Sequence, residues 1–401
     1  VKTYFFGLIL LAGLVYTVFV PDQSDSVQIL IGYSLAFLGY LGLCFMDKRK
    51  WPFGRLFLFG LIARILLIPF FPNLSDDIYR FYWDAHLCQN GLSPYAYLPS
   101  EVLEKVGEHN VFERLNSQNY YSVYPPLNQL LFFIAYNIGE GLEGFSCVLK
   151  IEFIILESIG LFYLGKLTKL FDGSKDRWFL YSLNPLIIIE GVGNVHIEVV
   201  MTSFLIVALF YLLRQKKLWM GILFFAGAIG VKIVPLLITP YILLREKKIN
   251  QIKILGYLLV FMFFLFGPIL FFLDLDTFSQ SLDLYFRKFE FNASFYYLFR
   301  YLGYTFLGYN LIAYMGPILS LLVLFSVFYF AFQAKNQKDK IWLAYLLMGW
   351  SLYLFFSTII HPWYIIPLVL FASITNWRFP VLWSYLIVLS YMSYGTEPFY
   401  E

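Results

Sequence analysis

The sequence predicts an all-α protein that crosses a membrane many times, and three observations carry that expectation. Hydrophobic residues make up 60% of the chain and charged ones only 14%, whereas soluble domains have about 45–50% and about 25%. The mean hydropathy is +0.69, and the apolar residues gather in long runs separated by short polar stretches. The basic residues between those runs alternate, as positive-inside loops do.

In chain order, apolar runs fall at 3–20, 27–46, 52–71, 146–171, 178–190, 197–213, 218–231, 233–244, 253–273, 306–333, 341–360, 364–375 and 379–394. Several are shorter than the roughly 20 residues of a spanning helix, which predicts a bundle of about 11–13 transmembrane helices. The first run follows Lys2 and leads into Pro21-Asp22-Gln23-Ser24. No small-x-small cleavage site follows it, so a retained helix is expected rather than a signal peptide. Lys48-Arg49-Lys50 with Arg55, Lys166/Lys169/Lys175/Arg177, Arg214/Lys216/Lys217, Arg245/Lys247/Lys248, Lys335/Lys338/Lys340 and Arg378 share the side of Lys2. The positive-inside rule makes that side cytoplasmic and leaves Glu401 outside. The run 127–139 would be only about 20 Å long as a helix, against a hydrocarbon core of about 30 Å, and reads as a re-entrant or interfacial segment.

One transmembrane domain, 1–401, is expected, with no separate soluble domain. Its largest non-spanning stretch is the outer loop 72–126, where Leu103, Val106, Val111 and Leu115 recur near helical spacing, as on a helix lying at the membrane surface. A second outer loop covers 274–305. Cys44, Cys88 and Cys147 form no CxxC pair, and the net charge is only +3. These features predict no disulfide framework, no metal site and no nucleic-acid partner.

The chemistry-bearing residues fall at outer helix ends. In Ser75-Asp76-Asp77-Ile78-Tyr79-Arg80-Phe81-Tyr82-Trp83-Asp84, a helix capped by Ser75 puts Asp77, Arg80 and Asp84 on one face with Asp76 adjacent. Carboxylates beside lipid and beside one another have raised pKa values, which suits a general base. Asn194, His196 and Glu198 interrupt an apolar stretch; Lys232 lies between two expected spans; His361-Pro362-Trp363-Tyr364 forms another outer turn; Asn292 and Arg300 lie in the second loop. Ionisable groups at membrane depth are expensive and mark a pathway or a site. Singly, each also reads as helix–helix glue. Arg64 is expected to pair with a loop acid, and Glu157 reads equally as a structural hydrogen-bonder. There is no Gly-rich phosphate loop, no HExxH and no GxSxG. Nucleotide sugars and ATP are cytoplasmic, so an outward-facing transferase needs a membrane-soluble donor.

The run Ser75 to Ala85, followed by Gly91-Leu92-Ser93-Pro94-Tyr95 and Tyr124-Pro125-Pro126-Leu127, resembles the GT-C superfamily of polyprenyl-phosphate-sugar glycosyltransferases. The likeness is to bacterial membrane mannosyltransferases and, more distantly, to the catalytic subunit of the first GPI mannosyltransferase. Asn184-Pro185-Leu186, Gly193-Asn194-Val195-His196, Val231-Lys232 with Pro235, Asn292 to Tyr297, and His361 to Tyr364 continue it in order over 75–364. Ala85 and Ser93 stand where related bacterial sequences often have Gly and Asn. The adjacent acids replace a common Asp-x-Asp or Glu-x-Asp, which leaves the base open between Asp76 and Asp77 and the metal requirement undecided.

The resemblance implies a GT-C-like bundle in a bacterial inner (plasma) membrane, with its site facing the periplasm or exterior. It implies inverting transfer of a hexose, mannose first, from a polyprenyl-phosphate donor to a glycolipid or polysaccharide hydroxyl, with no cofactor expected. On this likeness Asp76 or Asp77 is the base and Asp84 orients it. Arg80 and Lys232 meet the donor phosphate, His196 and His361 the sugar or phosphate, and Asn194 belongs to the donor-binding set. Tyr79, Trp83, Tyr124, Trp363 and Tyr364 supply aromatic faces. The rival readings are a transporter or lipid-linked sugar flippase, which also uses broken helices and intramembrane charge, and an O-antigen-type polymerase or ligase.

Overall fold

The structure is a computed structural model that describes residues 2–20, 22–45, 52–169, 171, 175–270 and 289–395. Lys48-Arg49-Lys50, residues 274–288 of the second loop and the terminal Glu401 lie outside those residues. Most of the described residues are helical. Among the described residues the extended pairing is a single parallel bridge, Phe291 beside Ile359. That composition follows from lipid as solvent, where every backbone N–H and C=O has to be satisfied inside its own segment. Among the described residues four helices, Ser26–Cys44, Glu198–Gln215, Lys248–Gly267 and Ile312–Ala334, are long and apolar enough to cross a membrane.

The N-terminal hairpin pairs α1 (Lys2–Val18) with α2 (Ser26–Cys44). A Cβ at Gly13 would run into the backbone of Ala36, and one at Gly39 into that of Leu10, so glycine lets the two backbones touch. Asp22, Gln23 and Ser24 in the link between them are thereby carried to the site. α3 (Phe53–Ile65) leads into the 72–126 loop, which holds α4 (Asp77–Gln89), α5 (Pro99–Val106) and α6 (His109–Phe112). The surface helix expected near 101–115 is therefore two short helices. Gly107 (φ 75°) and Glu108 (φ 65°) break it in the left-handed region. Val102 and Val111 are buried as part of the main hydrophobic core, so this part of the loop packs onto the bundle.

α7 (Pro126–Ile138) is short, as its sequence requires, and packs against α4, α8 (Gly141–Thr168) and α12 (Leu218–Val231). Arg64 does not meet a loop acid. Its Nε and Nη2 each donate to Glu157 of α8 at 2.5 Å, and its Nη1 donates to the carbonyls of Gly60 and Ser182. Both partners are fully buried. At the core of a membrane protein the surest way to satisfy a guanidinium is a bidentate carboxylate on a neighbouring helix.

The next elements are α9 (Lys175–Ser182), α10 (Pro185–Ile188), α11 (Glu198–Leu209), α13 (Thr239–Arg245) and α14 (Lys248–Leu270). They are followed by α15 (Ser294–Leu307), α16 (Ile312–Ala334), α17 (Asp339–Phe356), α18 (Ile366–Ile374) and α19 (Phe379–Leu386). Helix breaks decide where the site forms. The Asn184 side chain caps α10 by accepting the Leu186 N–H at 3.0 Å. A π turn, Ile189–Gly193, then ends α10, and Pro235 and Pro362 open 3₁₀ turns beyond Lys232 and His361.

Candidate active site

The helix breaks and the 72–126 loop enclose a cavity of about 2350 Å³. Asp76, Asp77, Arg80, Tyr124, His196, Lys232, His361, Trp363 and Tyr364 all line it. Asp84 and Asn194 do not: Asp84 is wholly buried one turn below Arg80, and Asn194 lies behind His196. The polar pole of the cavity is thus built from the α1–α2 link, the start of α4, the turn before α11, the end of α12 and the turn before α18.

Ser75 Oγ accepts the Asp77 N–H at 3.3 Å and helps start α4. Burial pushes the Asp77 carboxyl up to about 6. The Glu198 carboxylate and Asp76 raise it too, while Lys232 and a hydrogen bond from Asn116 pull it down. Burial also raises Asp76, against a 3.3 Å hydrogen bond donated by Gln23. Of the two acids, Asp77 is the one facing His196 and Lys232.

Arg80 donates from Nε to Asp84 at 2.7 Å and from Nη1 to Ser117 and the Tyr120 carbonyl. Its Nη2 is buried without a protein partner. Asp84 also accepts from Ser122 and from Gln129. A carboxylate with three such donors is a strut, and what it orients is Arg80 rather than either neighbouring acid.

Lys232 ends α12 in extended backbone, ion-pairs with Glu198 and sits 3.9 Å from the centre of the Tyr364 ring. The expectation that Trp363 offers a face to a sugar fails on geometry. His196 covers one face at 3.4 Å and 16°, His361 the other at 4.5 Å and 1°, and Phe291 continues the stack beyond His361. Tyr79 and Trp83 are also turned away: Tyr79 accepts from Arg114, and Trp83 is buried against Phe112. The turn carrying His361 is held by backbone bonds between Phe291 and both Thr358 and Ile360.

The turn carrying His196 is strained. Val195 has φ 55°, a conformation that a β-branched residue rarely adopts. Strain of this kind persists where surrounding structure over-determines it, and it clusters at functional sites. Here the His196 N–H donates to the Glu190 carbonyl at 2.9 Å, and the Asn194 N–H to the Ile189 carbonyl at 2.8 Å.

Glu190 and Gln23 are the residues that sequence reasoning missed. Glu190 closes an apolar run just before Gly191-Val192-Gly193, a weak signal; Gln23 carried none. Arg300 and Glu290, 3.1 Å apart, line the far side of the cavity. From there the wall turns apolar, with Phe266, Pro317, Leu321, Leu324, Phe356 and Leu386. Chemically, the polar pole can take a proton at a carboxylate and hold an anionic group beside an ammonium. Among the described residues no group of three His, Cys, Asp or Glu is placed to hold a metal ion.

Residues 50–246 match the family described as alpha-(1->6)-mannopyranosyltransferase, N-terminal domain. That stretch runs from just before α3 to just beyond α13 and includes Asp76, Asp77, Arg80, His196, Glu198 and Lys232. The turn from His361 to Tyr364 lies outside it. No curated protein matches the chain. The match fits the GT-C-like likeness of the motifs, and with the apolar helices it leads to one conclusion: the protein is an integral membrane glycosyltransferase of the mannosyltransferase type.

Proposed function

We propose that the protein moves a mannosyl unit from a polyprenyl-phosphate donor to a hydroxyl of a glycolipid or polysaccharide acceptor, on the outer face of a bacterial inner membrane. The observation that carries this reading is the two-ended cavity. One end offers Asp76, Asp77, Arg80 and Lys232; the other is an apolar wall drawn from α14, α16, α17 and α19. A donor with a phosphate-sugar head and a hydrocarbon tail matches both ends, whereas a water-soluble nucleotide sugar matches only one.

Asp77 is the preferred base, since it faces both His196 and Lys232 and its pKa of about 6 leaves it largely ionised at neutral pH. It takes the proton of the acceptor hydroxyl as that oxygen bonds to the anomeric carbon. The bond from that carbon to the lipid-phosphate oxygen breaks, and the phosphate leaves with its electron pair. Lys232 and the unpartnered Nη2 of Arg80 stabilise the charge that develops there, which is where an electrostatic site contributes most. Single displacement inverts the anomeric carbon, so an α-linked product calls for a β-linked donor.

The test uses protein in lipid nanodiscs with synthetic polyprenyl-phosphate mannose and a panel of acceptors, following release of the lipid phosphate. Asp77→Asn is expected to lower turnover by about 10²–10⁴-fold with an unchanged melting temperature. Full activity in that variant transfers the role to Asp76, and activity that persists in EDTA removes a metal from the reaction. No phosphate release from any sugar donor by well-folded protein would overturn the proposal.

A further inference from the structure

Behind the cavity, outside its lining, lies a buried carboxylate that the transfer chemistry above does not use. Glu190 sits in the π turn Ile189–Gly193 and is 1% exposed. Its Oε1 accepts from the Tyr391 hydroxyl at 3.0 Å, and its Oε2 accepts from Asn194 Nδ2 at 3.1 Å. Two donors on two different elements therefore fix the plane of the carboxylate. Its Oε2 also lies 3.4 Å from His196 Nε2, and the opposite ring nitrogen, Nδ1, lies 3.8 Å from Asp77 Oδ2. The imidazole cannot turn away, because Trp363 is stacked on it at 3.4 Å. Nor can its backbone relax, because the His196 N–H is bonded to the Glu190 carbonyl across the strained Val195.

We propose that Glu190 is a positioning residue that fixes the tautomer of His196, holding the proton on Nε2 and turning the lone pair of Nδ1 toward Asp77. Burial pushes the Glu190 carboxyl up to about 7, so the device works above about pH 7, where that group is ionised. An ionised carboxylate only accepts hydrogen bonds; Glu190 is the nearer of the two carboxylates, so Nε2 carries the hydrogen and Nδ1 becomes the acceptor. Nδ1 then has nothing to offer an ionised Asp77, but it can receive the O–H of a protonated one. The proton that leaves the acceptor hydroxyl moves to Asp77 Oδ2 and is hydrogen-bonded there by Nδ1. It goes no further, and His196 and Glu190 keep their charge states. The 3.8 Å separation closes to a hydrogen bond when Asp77 is protonated, as catalytic contacts commonly tighten only in the reacting complex. Asn194 thereby gains a function without reaching the cavity: with Tyr391 it holds Glu190. The inference rests on Asp77 as the base only for its effect on turnover, not for the tautomer.

The test has one arm for each. The chain has only four histidines, so protein with ¹⁵N-labelled histidine in nanodiscs gives a simple spectrum, and a His196→Asn variant identifies the signal. Wild type is expected to show His196 protonated on Nε2, and Glu190→Gln to lose that preference. Tyr391→Phe removes one hydroxyl from the clamp and is expected to do the same partially; it stands in if Glu190→Gln does not fold. Nδ1 protonation in wild type, or an unchanged tautomer in whichever variant folds, would overturn the proposal.

The second arm is the pH profile of kcat. Asp77 is also faced by Glu198, Lys232 and Asp76, and His196 by His361 and Lys232; all of these stay in place in the variants. With Gln at 190, Nδ1–H can donate to ionised Asp77. The contrast is read above pH 7, where wild-type Glu190 is ionised: kcat of Glu190→Gln is expected to be roughly tenfold or more below wild type there, and the two profiles to converge as pH falls below about 7. A tautomer that changes while kcat above pH 7 stays put upholds the role of Glu190 and removes Asp77 as the base.

Discussion

Two cation–glutamate pairs lie inside the bundle and are built differently. Arg64–Glu157 joins α3 to α8 with both partners at 0% exposure; both carboxylate oxygens are used, and the remaining guanidinium nitrogen is spent on Gly60 and Ser182. Lys232–Glu198 joins α12 to α11 beside the cavity, with the lysine side chain 22% exposed and the second Glu198 oxygen buried without a partner. In the first pair every guanidinium nitrogen and both carboxylate oxygens are engaged away from the cavity, and the pair holds helices together. The second keeps an ammonium within reach of an incoming anion and a carboxylate close enough to perturb Asp77. A buried charge with all its partners is scaffold, and one with capacity to spare is a candidate for function.

The largest effect that would break this contrast is at the scaffold pair. Glu157→Ala strands Arg64 and is expected to destabilise the fold by about 3–5 kcal/mol, seen as a lower melting temperature in detergent, with turnover per folded molecule little changed. A catalytic collapse at full stability would mean that this pair also belongs to the site. Next is Lys232→Ala, expected to cost turnover about 10²-fold with little change in melting temperature. An equal loss of stability would make Lys232–Glu198 a second strut.

A subtler comparison uses pH. On the proposed mechanism turnover needs ionised Asp77, so the rate is expected to fall as pH drops through about 6. Lys232 favours the ionised form, and its removal moves the acid limb to higher pH. Glu198 disfavours that form, so Glu198→Gln moves the limb lower, each by roughly one pH unit. Shifts in the same direction would break the assignment. The smallest effect is expected at Arg245–Asp339, whose side chains are 25% and 38% exposed. Arg245→Ala should change stability by less than about 1 kcal/mol, which makes it the control for charge removal alone.

The membrane character of the chain, the turn at His361-Pro362-Trp363-Tyr364 and the acids at the start of α4 could be read directly. The placement of the site residues was legible less evenly. Helical spacing put Asp77, Arg80 and Asp84 on one face, yet only the first two reach the cavity, because the loop folds over the second turn and gives Asp84 the donors Ser122 and Gln129. Trp363 carries the right chemistry for a sugar platform, but two histidines, 165 positions apart in the chain, close on its faces. The likeness drew Asn194 to notice without its purpose, since Glu190 and Tyr391 give it meaning only when α10 and the C-terminal turn meet.

The sequence by itself determined what depends on neighbours along the chain and on transfer between water and lipid: which segments are helical and apolar, where proline and glycine stop them, and where ionisable groups cluster. These are local properties, and the free energy of moving a residue into hydrocarbon is set by that residue. Only the tertiary structure decided which charges meet. Arg64 found Glu157 rather than a loop acid, Lys232 found Glu198, and Glu190 found His196. Such pairings depend on helix register, crossing and backbone strain, and a shift of a single helical turn would exchange every partner.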